Sequence, residues 1–91
     1  MAAVQVTLLM NSIKILFFAT LRDRAGTKSV QLEVPDGATV RELKENIAQQ
    51  YPALVPLLKT ALTAVNHEYA SDDTILPANA EVGMFPPVSG G

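Results

Sequence analysis

The chain of 91 residues has no cysteine, no tryptophan and only one histidine, His67. Without cysteine it forms no disulfide, no thiolate metal site and no cysteine nucleophile, and a single histidine cannot build a histidine cluster. Lysine and arginine never occur in a run, and the formal net charge is −2, which argues against a surface that binds nucleic acid. We therefore expect no bound metal and no nucleic-acid partner.

The chain also lacks a long apolar segment. Its opening, MAAVQVTLLM, is short, has no basic residue before it and is not followed by a cleavage site, so neither a membrane anchor nor a leader peptide is predicted. We expect a cytoplasmic protein. Met10 could itself start translation, and residues 1–12 are interpreted as an N-terminal extension of unknown role.

What is present suits one small globular domain, since 48% of the residues are hydrophobic and 18% are charged. The run IKILFFA (13–19) is apolar on both faces apart from Lys14, which predicts a strand covered on each side. Of its two aromatics, Phe17 and Phe18, one faces the core and the other faces either the core or a partner. The run SVQLEV (29–34) alternates between apolar and polar residues. The two strands are predicted to form an antiparallel hairpin, joined through TLRDRAG.

The clearest local signal is a helix that begins after Thr39. Thr39 stands three residues before Glu42, the spacing of a capping box in which each side chain binds the other residue's free backbone N–H. Apolar residues then recur at helical spacing on one face, and Pro52 ends the run. That face consists of Val40, Leu43, Ile47 and Tyr51.

Several elements follow this helix. Pro56 could open a short second helix, and LTAVN (62–66) has the composition of a strand. A last strand is predicted at about residues 81–85, after a turn in which Asn79 adopts a positive φ. This last strand should lie beside the first and parallel to it, because the helix supplies the crossover. The expected fold is α+β, a mixed sheet with one main helix packed on one face.

The ending MFPPVSGG predicts a tail that leaves the sheet. Pro86 and Pro87 cannot donate ladder hydrogen bonds, so the last strand stops before them, and they favour a stiff polyproline conformation. Gly90 and Gly91 lack a Cβ atom and would pass through a narrow constriction on another protein. Extended at about 3.3 Å per residue, residues 86–91 span roughly 20 Å. We interpret this tail as the means of presenting the carboxylate of Gly91 to a partner.

Four segments together resemble a known family. They are IKILFFATLRDRAG, TVRELKENIAQQYP, AVN at 64–66 and, above all, EVGMFPPVSGG. From residue 13 to the end, the chain resembles the small subunit of molybdopterin synthase, one of the ubiquitin-like sulfur-carrier proteins. The resemblance implies a ubiquitin-like β-grasp domain over residues 13–85 and a flexible Gly-Gly tail over 86–91. Two positions depart from the family: Met84 stands where a second aromatic is common, and Asn79 stands where glycine is common.

The resemblance also implies a reaction cycle and its partners. An ATP-dependent activating enzyme adenylates Gly91, sulfur replaces the AMP to give a thiocarboxylate, and the large synthase subunit passes that sulfur to a pyranopterin precursor of the molybdenum cofactor. The chain would not be catalytic alone, would bind no cofactor permanently, and would join a heterotetramer of two small and two large subunits. The lack of cysteine agrees with a carboxylate as the sulfur carrier, since no thiol is available.

The roles of individual residues follow from the same resemblance. Gly91 carries the transient adenylate and then the thiocarboxylate. The residues expected to dock on partner proteins are Met84, Phe85, Pro86, Pro87, Val88, Ser89 and Gly90.

Other functions stay open from the residues alone. A ubiquitin-like modifier would use the same adenylation chemistry but join its terminal glycine to lysines of target proteins. A sulfur carrier for thiamine or tRNA thiolation would deliver the sulfur elsewhere, and a plain interaction module would leave the tail unexplained. Outside the tail, His67 receives no role, because no catalytic constellation accompanies it. Arg22, Arg24 and Lys28 could steer an acidic partner surface, but the alternating charges around Asp23 favour a solvated loop.

Overall fold

The computed structural model describes residues 9–87. The predicted roles of Val88, Ser89, Gly90 and Gly91 fall outside these described residues. The strands are β1 (Met10–Phe17), β2 (Ser29–Pro35), β3 (Leu62–Val65), β4 (Glu68–Tyr69) and β5 (Glu81–Phe85). The α-helices are α1 (Thr20–Ala25), α2 (Val40–Gln50) and α3 (Val55–Leu58), with a 3₁₀ turn at Pro52–Leu54.

The strands form one mixed sheet in the order β2-β1-β5-β3-β4. β1 pairs antiparallel with β2, with Ile13 opposite Leu32, and parallel with β5, with Ile15 opposite Val82. β3 runs antiparallel to both β5 and β4. The predicted hairpin and the predicted parallel pairing of the first and last strands are both confirmed, and β5 lies at the centre of the sheet.

Among residues 9–87, the helices and loops cover one face of this sheet. Along β1, Ile13, Ile15 and Phe17 are buried, whereas Lys14 is exposed and Leu16 is half-buried. The prediction that this strand is covered on both sides is therefore wrong. The buried side chains of strands and helices belong to one core, and no helix within residues 9–87 packs on the opposite face of the sheet, called the open face below.

The connection between β1 and β2, interpreted from the sequence as a loop, contains the short helix α1. This helix buries Leu21 and ends at Gly26, whose backbone N–H donates to the carbonyl oxygen of Arg22. Gly26 has φ 76°, a left-handed conformation that glycine adopts without strain. The limits of β1 also differ from the prediction: the strand begins at Met10 and ends at Phe17, so residues 10–12 belong to the sheet.

The main helix, α2, begins as its sequence predicts. The Thr39 hydroxyl accepts a hydrogen bond from the Glu42 N–H at 3.3 Å, and the Glu42 carboxylate accepts one from the Thr39 N–H at 3.1 Å. The capping box is thus confirmed. Val40, Leu43 and Ile47 are buried, and each contributes about 1.5–3 kcal/mol by leaving water. The short helix predicted near Pro56 is present as α3.

Both cations of α2 are paired with the loop before β5. Arg41 Nη1 lies 2.7 Å from Asp73 Oδ1, and Lys44 Nζ lies 2.9 Å from Asp72 Oδ1. The hydrogen bond to Asp73, helped by its charge, raises the pKa of the Arg41 guanidinium above its ordinary value. The two ion pairs join α2 to that loop.

A buried amide holds the same loop at its other end. Asn11, near the start of β1, donates from Nδ2 to the carbonyl oxygen of Pro77 at 2.9 Å and accepts the Asn79 N–H on Oδ1 at 2.7 Å. Asn79 has φ 55°, which confirms the predicted positive φ. Because buried polar groups need partners, these bonds specify where the chain enters β5.

Candidate functional site

The last strand leads the chain out of the sheet beside the end of β1. Phe17 lies opposite Met84 in the parallel ladder, and the Phe18 N–H donates to the Met84 carbonyl oxygen at 3.1 Å. Pro86 and Pro87 come next and have no N–H with which to extend the ladder. The chain therefore leaves the fold from the centre of the sheet, next to Phe18.

The two residues before the prolines point in opposite directions, as strand alternation requires. Met84 is fully buried in the core, whereas Phe85 is half-buried on the open face. Met84 is among the residues predicted to dock on partners, but core packing puts its side chain beyond a partner's reach. Phe85 is accessible, as are Pro86, which is half-buried, and Pro87, which is exposed.

Phe85 stacks on Phe18 at this exit. The ring centroids are 4.5 Å apart and the ring planes differ by 7°, close enough for a favourable aromatic contact. Gly83 lies beneath the rings, and a Cβ atom built there would be 3.1 Å from Cε2 of Phe85. The absent side chain lets the Phe85 ring lie against the sheet. The other aromatic of β1, Phe17, is 1% exposed and belongs to the core.

The stacked rings line an open depression of about 280 Å³ on the open face. Phe18 is 39% exposed and Tyr69 is 76% exposed. This exposed apolar surface makes the depression a candidate docking surface. The apolar lining residues, called the platform below, are Leu16, Phe18, Ala64, Tyr69, Gly83 and Phe85.

The polar edge of the depression holds His67 and Glu81. Nε2 of His67 lies 3.7 Å from Oε1 of Glu81, and the imidazole side chain is 86% exposed. Asn66 and His67 form the tight connection between β3 and β4, with φ values of 50° and 73°. We assign His67 no catalytic role, because its place is that of a solvated turn residue.

Across residues 9–87, no helix has the length and apolarity needed to cross a membrane. In the same part of the chain, no three histidine, cysteine or acidic residues come together in a way that could hold a metal ion. The candidate site is an apolar docking surface beside an outgoing chain.

Sequence reasoning found only part of this surface. It identified Phe85 and the prolines, but it gave no role to Leu16, Ala64 or Tyr69. The available signal was the apolar character of both faces of β1, which we interpreted as double coverage. In the structure the second apolar face belongs to the platform.

A mixed sheet with its last strand in the centre and one main helix across one face defines a ubiquitin-like β-grasp protein. SAMP1 of Haloferax volcanii, a small archaeal modifier protein, has a TM-score of 0.78 at 29% identity and covers 89% of this chain and 100% of its own. A Pyrococcus furiosus structure named for subunit 1 of a molybdopterin converting factor has a TM-score of 0.77 at 32% identity and covers 86% of this chain and 99% of its own. The predicted fold is confirmed.

The chain belongs to the ThiS family, which matches residues 15–91. The molybdopterin synthase sulfur carrier subunit of Chlamydomonas reinhardtii is 40% identical over 81 residues, which cover 87% of this chain and 98% of that relative. A complex of subunits 1 and 2 of the molybdopterin-converting factor from Helicobacter pylori contains a chain with the same fold, at 21% identity and a TM-score of 0.62. The resemblance to the sulfur-carrier proteins is thereby confirmed.

Proposed function

We propose that this protein is the sulfur carrier of molybdenum cofactor biosynthesis, acting as the small subunit of a molybdopterin synthase. The observation that carries the proposal is the 40% identity to the Chlamydomonas sulfur carrier subunit over 98% of that relative. The family match supports it as well, because it extends through the tail to Gly91.

The chemistry takes place at the carboxylate of Gly91. On an activating enzyme, one carboxylate oxygen attacks the α-phosphorus of ATP, forms an acyl-adenylate and releases pyrophosphate. A sulfur nucleophile then displaces AMP from the acyl carbon and leaves a thiocarboxylate. Adenylation comes first because a carboxylate oxygen is a poor leaving group, and the covalent intermediate divides one difficult exchange into two easier steps.

The second half of the cycle consumes the sulfur. The thiocarboxylate delivers its sulfur to a pyranopterin precursor bound by the large subunit, and water restores the carboxylate for another round. The chain contains no cysteine, so none of its own side chains can attack the activated acyl group as a thiol. The role of the folded domain is to position the tail so that the sulfur on Gly91 reaches the large subunit.

The position of β5 in the sheet supports this role, because it fixes the point from which the tail starts. β5 is bonded to β1 on one side and to β3 on the other, so Phe85 is held at the centre of the sheet. From there the chain continues into Pro86 and Pro87, and Val88, Ser89 and Gly90, which we propose contact the partner together with them, lie outside the described residues. Extended, residues 86–91 span roughly 20 Å, long enough to enter a tunnel on a partner.

We propose that the large subunit covers the platform while it takes up the tail. Phe18 and Phe85 act as the aromatic anchors of this contact, since exposed aromatic side chains commonly dominate interface energies. A heterotetramer of two small and two large subunits places one such contact in each half. We also place the protein in the cytoplasm, where ATP for the activating enzyme is available.

A second function is favoured by one observation. The modifier protein SAMP1 matches this fold over its whole length at 29% identity. A protein modifier would use the same adenylate but pass the acyl carbon of Gly91 to a lysine amine of a target protein, forming an isopeptide bond and releasing AMP.

Intact-mass analysis of the protein isolated from its own cells tests both functions. Sulfur carriage predicts exchange of one oxygen for sulfur in the C-terminal peptide, whereas modification predicts branched conjugates. The exchange must be localised to that peptide, because methionine oxidation adds nearly the same mass. A variant with one residue added after Gly91 is the control. It should fold normally but acquire no sulfur, and normal cofactor production by that variant would contradict the proposal.

A further inference from the structure

A second depression lies on the other side of Phe18 and is lined by cations. It measures about 340 Å³ and shares Leu16 and Phe18 with the platform. Three basic residues border it, Lys14 of β1, Arg22 of α1 and Lys28 just before β2. All three are exposed, and no acidic residue among 9–87 lines this depression.

Within the described chain, none of these three cations forms an ion pair. The ion pairs found there involve Arg41, Lys44 and His67. Glu81 stands beside Lys14 in the parallel ladder, but the basic group that its carboxylate approaches is His67, at 3.7 Å. Three cations and no acidic residue of 9–87 therefore border this depression.

This charge contrasts with the rest of the molecule. The whole chain has a net charge of −2, and the cations of α2 on the opposite side of the sheet are held by Asp72 and Asp73. Free cations beside an exposed aromatic ring suit an interface, because complementary charge orients a partner during its approach and excludes partners of the wrong sign.

We propose that Lys14, Arg22 and Lys28, the cationic flank, bind an acidic segment of the partner protein that covers the platform. Carboxylates of this segment pair with the flank while one of its apolar side chains packs on Leu16 and Phe18. The inference rests on the proposed function, since the partner is the large synthase subunit. The flank sets the orientation in which that subunit meets the tail, which leaves the sheet next to Phe18.

Exposed charge pairs at the edge of an interface act mainly on the rate of association. Salt screens charges beyond about 8 Å at physiological ionic strength, so the effect should be largest at low salt. The dissociation rate depends on the desolvated apolar contacts, so loss of a flank charge should change it little. The cationic flank and the platform therefore have separable kinetic signatures.

The experiment measures binding of the purified large synthase subunit from the same organism to the full-length chain by stopped-flow fluorescence at low and high salt. Charge reversals Lys14→Glu, Arg22→Glu and Lys28→Glu are each compared with Lys59→Glu. Lys59 is exposed and lies on the helical side of the sheet, so its reversal changes the net charge equally without touching the flank.

We expect each flank variant to associate about tenfold more slowly at low salt, with a weaker salt dependence and a nearly unchanged dissociation rate. Lys59→Glu should behave almost as the wild-type chain does. Equal association rates for the flank variants and Lys59→Glu would overturn the inference while leaving the proposed function intact. Failure of the wild-type chain to bind the large subunit at any salt would overturn the proposed function, and this inference with it.

Carbodiimide cross-linking of the wild-type complex supplies a structural readout. The reagent joins a lysine amine to a carboxylate in direct contact, so peptides linking Lys14 or Lys28 to acidic residues of the large subunit are expected. Cross-links from Lys59 at equal yield would contradict the inference. So would links from the flank to a second copy of this chain, because that result identifies the occupant as another small subunit.

Discussion

The rings of Phe18 and Phe85 lie parallel, with their centroids 4.5 Å apart, although 67 positions separate them in the chain. Phe18 follows the end of β1 and Phe85 ends β5, so the parallel pairing of these two strands creates the contact. The stack stands at the point where the tail leaves the sheet. Changes around it should affect binding before they affect folding.

Replacing Phe18 by serine should weaken binding of the large subunit while the fold persists. Truncating a central aromatic anchor costs on the order of 2 kcal/mol, or roughly thirtyfold in Kd, whereas the lost ring is partly exposed in the free protein. Titration calorimetry measures the affinity. The matched control is Phe17→Ala, which empties a core site and should reduce the free energy of unfolding by about 3–5 kcal/mol. Unchanged affinity for Phe18→Ser would remove the platform from the interface.

Replacing Gly83 by alanine should displace the Phe85 ring. The new Cβ would lie 3.1 Å from Cε2 and 3.2 Å from Cζ of that ring, closer than ordinary van der Waals contact. The ring faces solvent and can move, so the loss of stability should stay within about 1 kcal/mol. Loss of the nuclear Overhauser contacts between the Phe18 and Phe85 rings, together with weaker binding, would show the displacement. In a Phe85→Ala background the same substitution should have no further effect on binding.

Replacing Thr63 by valine should stabilise the fold. The Thr63 side chain is buried in the core, and its hydroxyl has no hydrogen-bond partner among the described residues. Such a group bears a desolvation penalty of about 1–3 kcal/mol, and valine keeps the shape while removing the hydroxyl. Urea unfolding should show a gain of about 1 kcal/mol. A less stable variant would mean that the hydroxyl is satisfied in solution.

Replacing Ala19 by glycine should also stabilise the protein. Ala19 has φ 54° and ψ −127°, a region that residues with a Cβ atom seldom occupy and that costs about 1–3 kcal/mol. The turn is maintained by the Leu21 N–H, which donates to the Phe18 carbonyl oxygen at 3.1 Å. After the entropic cost of glycine, a gain of about 1 kcal/mol is expected in urea unfolding. The control is Ala48→Gly in the interior of α2, which should reduce the free energy of unfolding by about 1 kcal/mol. If both variants changed the free energy of unfolding in the same direction, Ala19 would not be strained.

The elements that were predicted well depend on local chemistry. The start of α2 follows from two side chains three positions apart, Thr39 and Glu42, and its buried face follows from helical spacing. The positive φ of Asn79 reflects a short polar side chain that tolerates that conformation. Such signals lie within a few residues of one another, so the sequence shows them directly.

The elements that were missed depend on distant contacts. The helix α1 has six residues, too few to be stable by itself, and it forms because Leu21 is buried in the core. Met84 was assigned to docking because it precedes Phe85 in the tail motif, yet pairing with β1 turns it inward. The apolar face of β1 that carries Leu16 looked like a second core, since a docking surface and a core share the same composition.

The sequence by itself determined the fold class, the capped helix α2 and the parallel pairing of first and last strands, and it alone predicts the reactive end of the tail. Each of these depends on periodicity, turn chemistry or the covalent order of a few residues. Only the tertiary structure decided which face of the sheet stays open, that Phe18 meets Phe85 there, and that Lys14, Arg22 and Lys28 gather beside them. The stack joins residues far apart in the chain, and the flank joins β1, α1 and the approach to β2, so strand register and helix packing, which no short stretch of sequence encodes, set their distances.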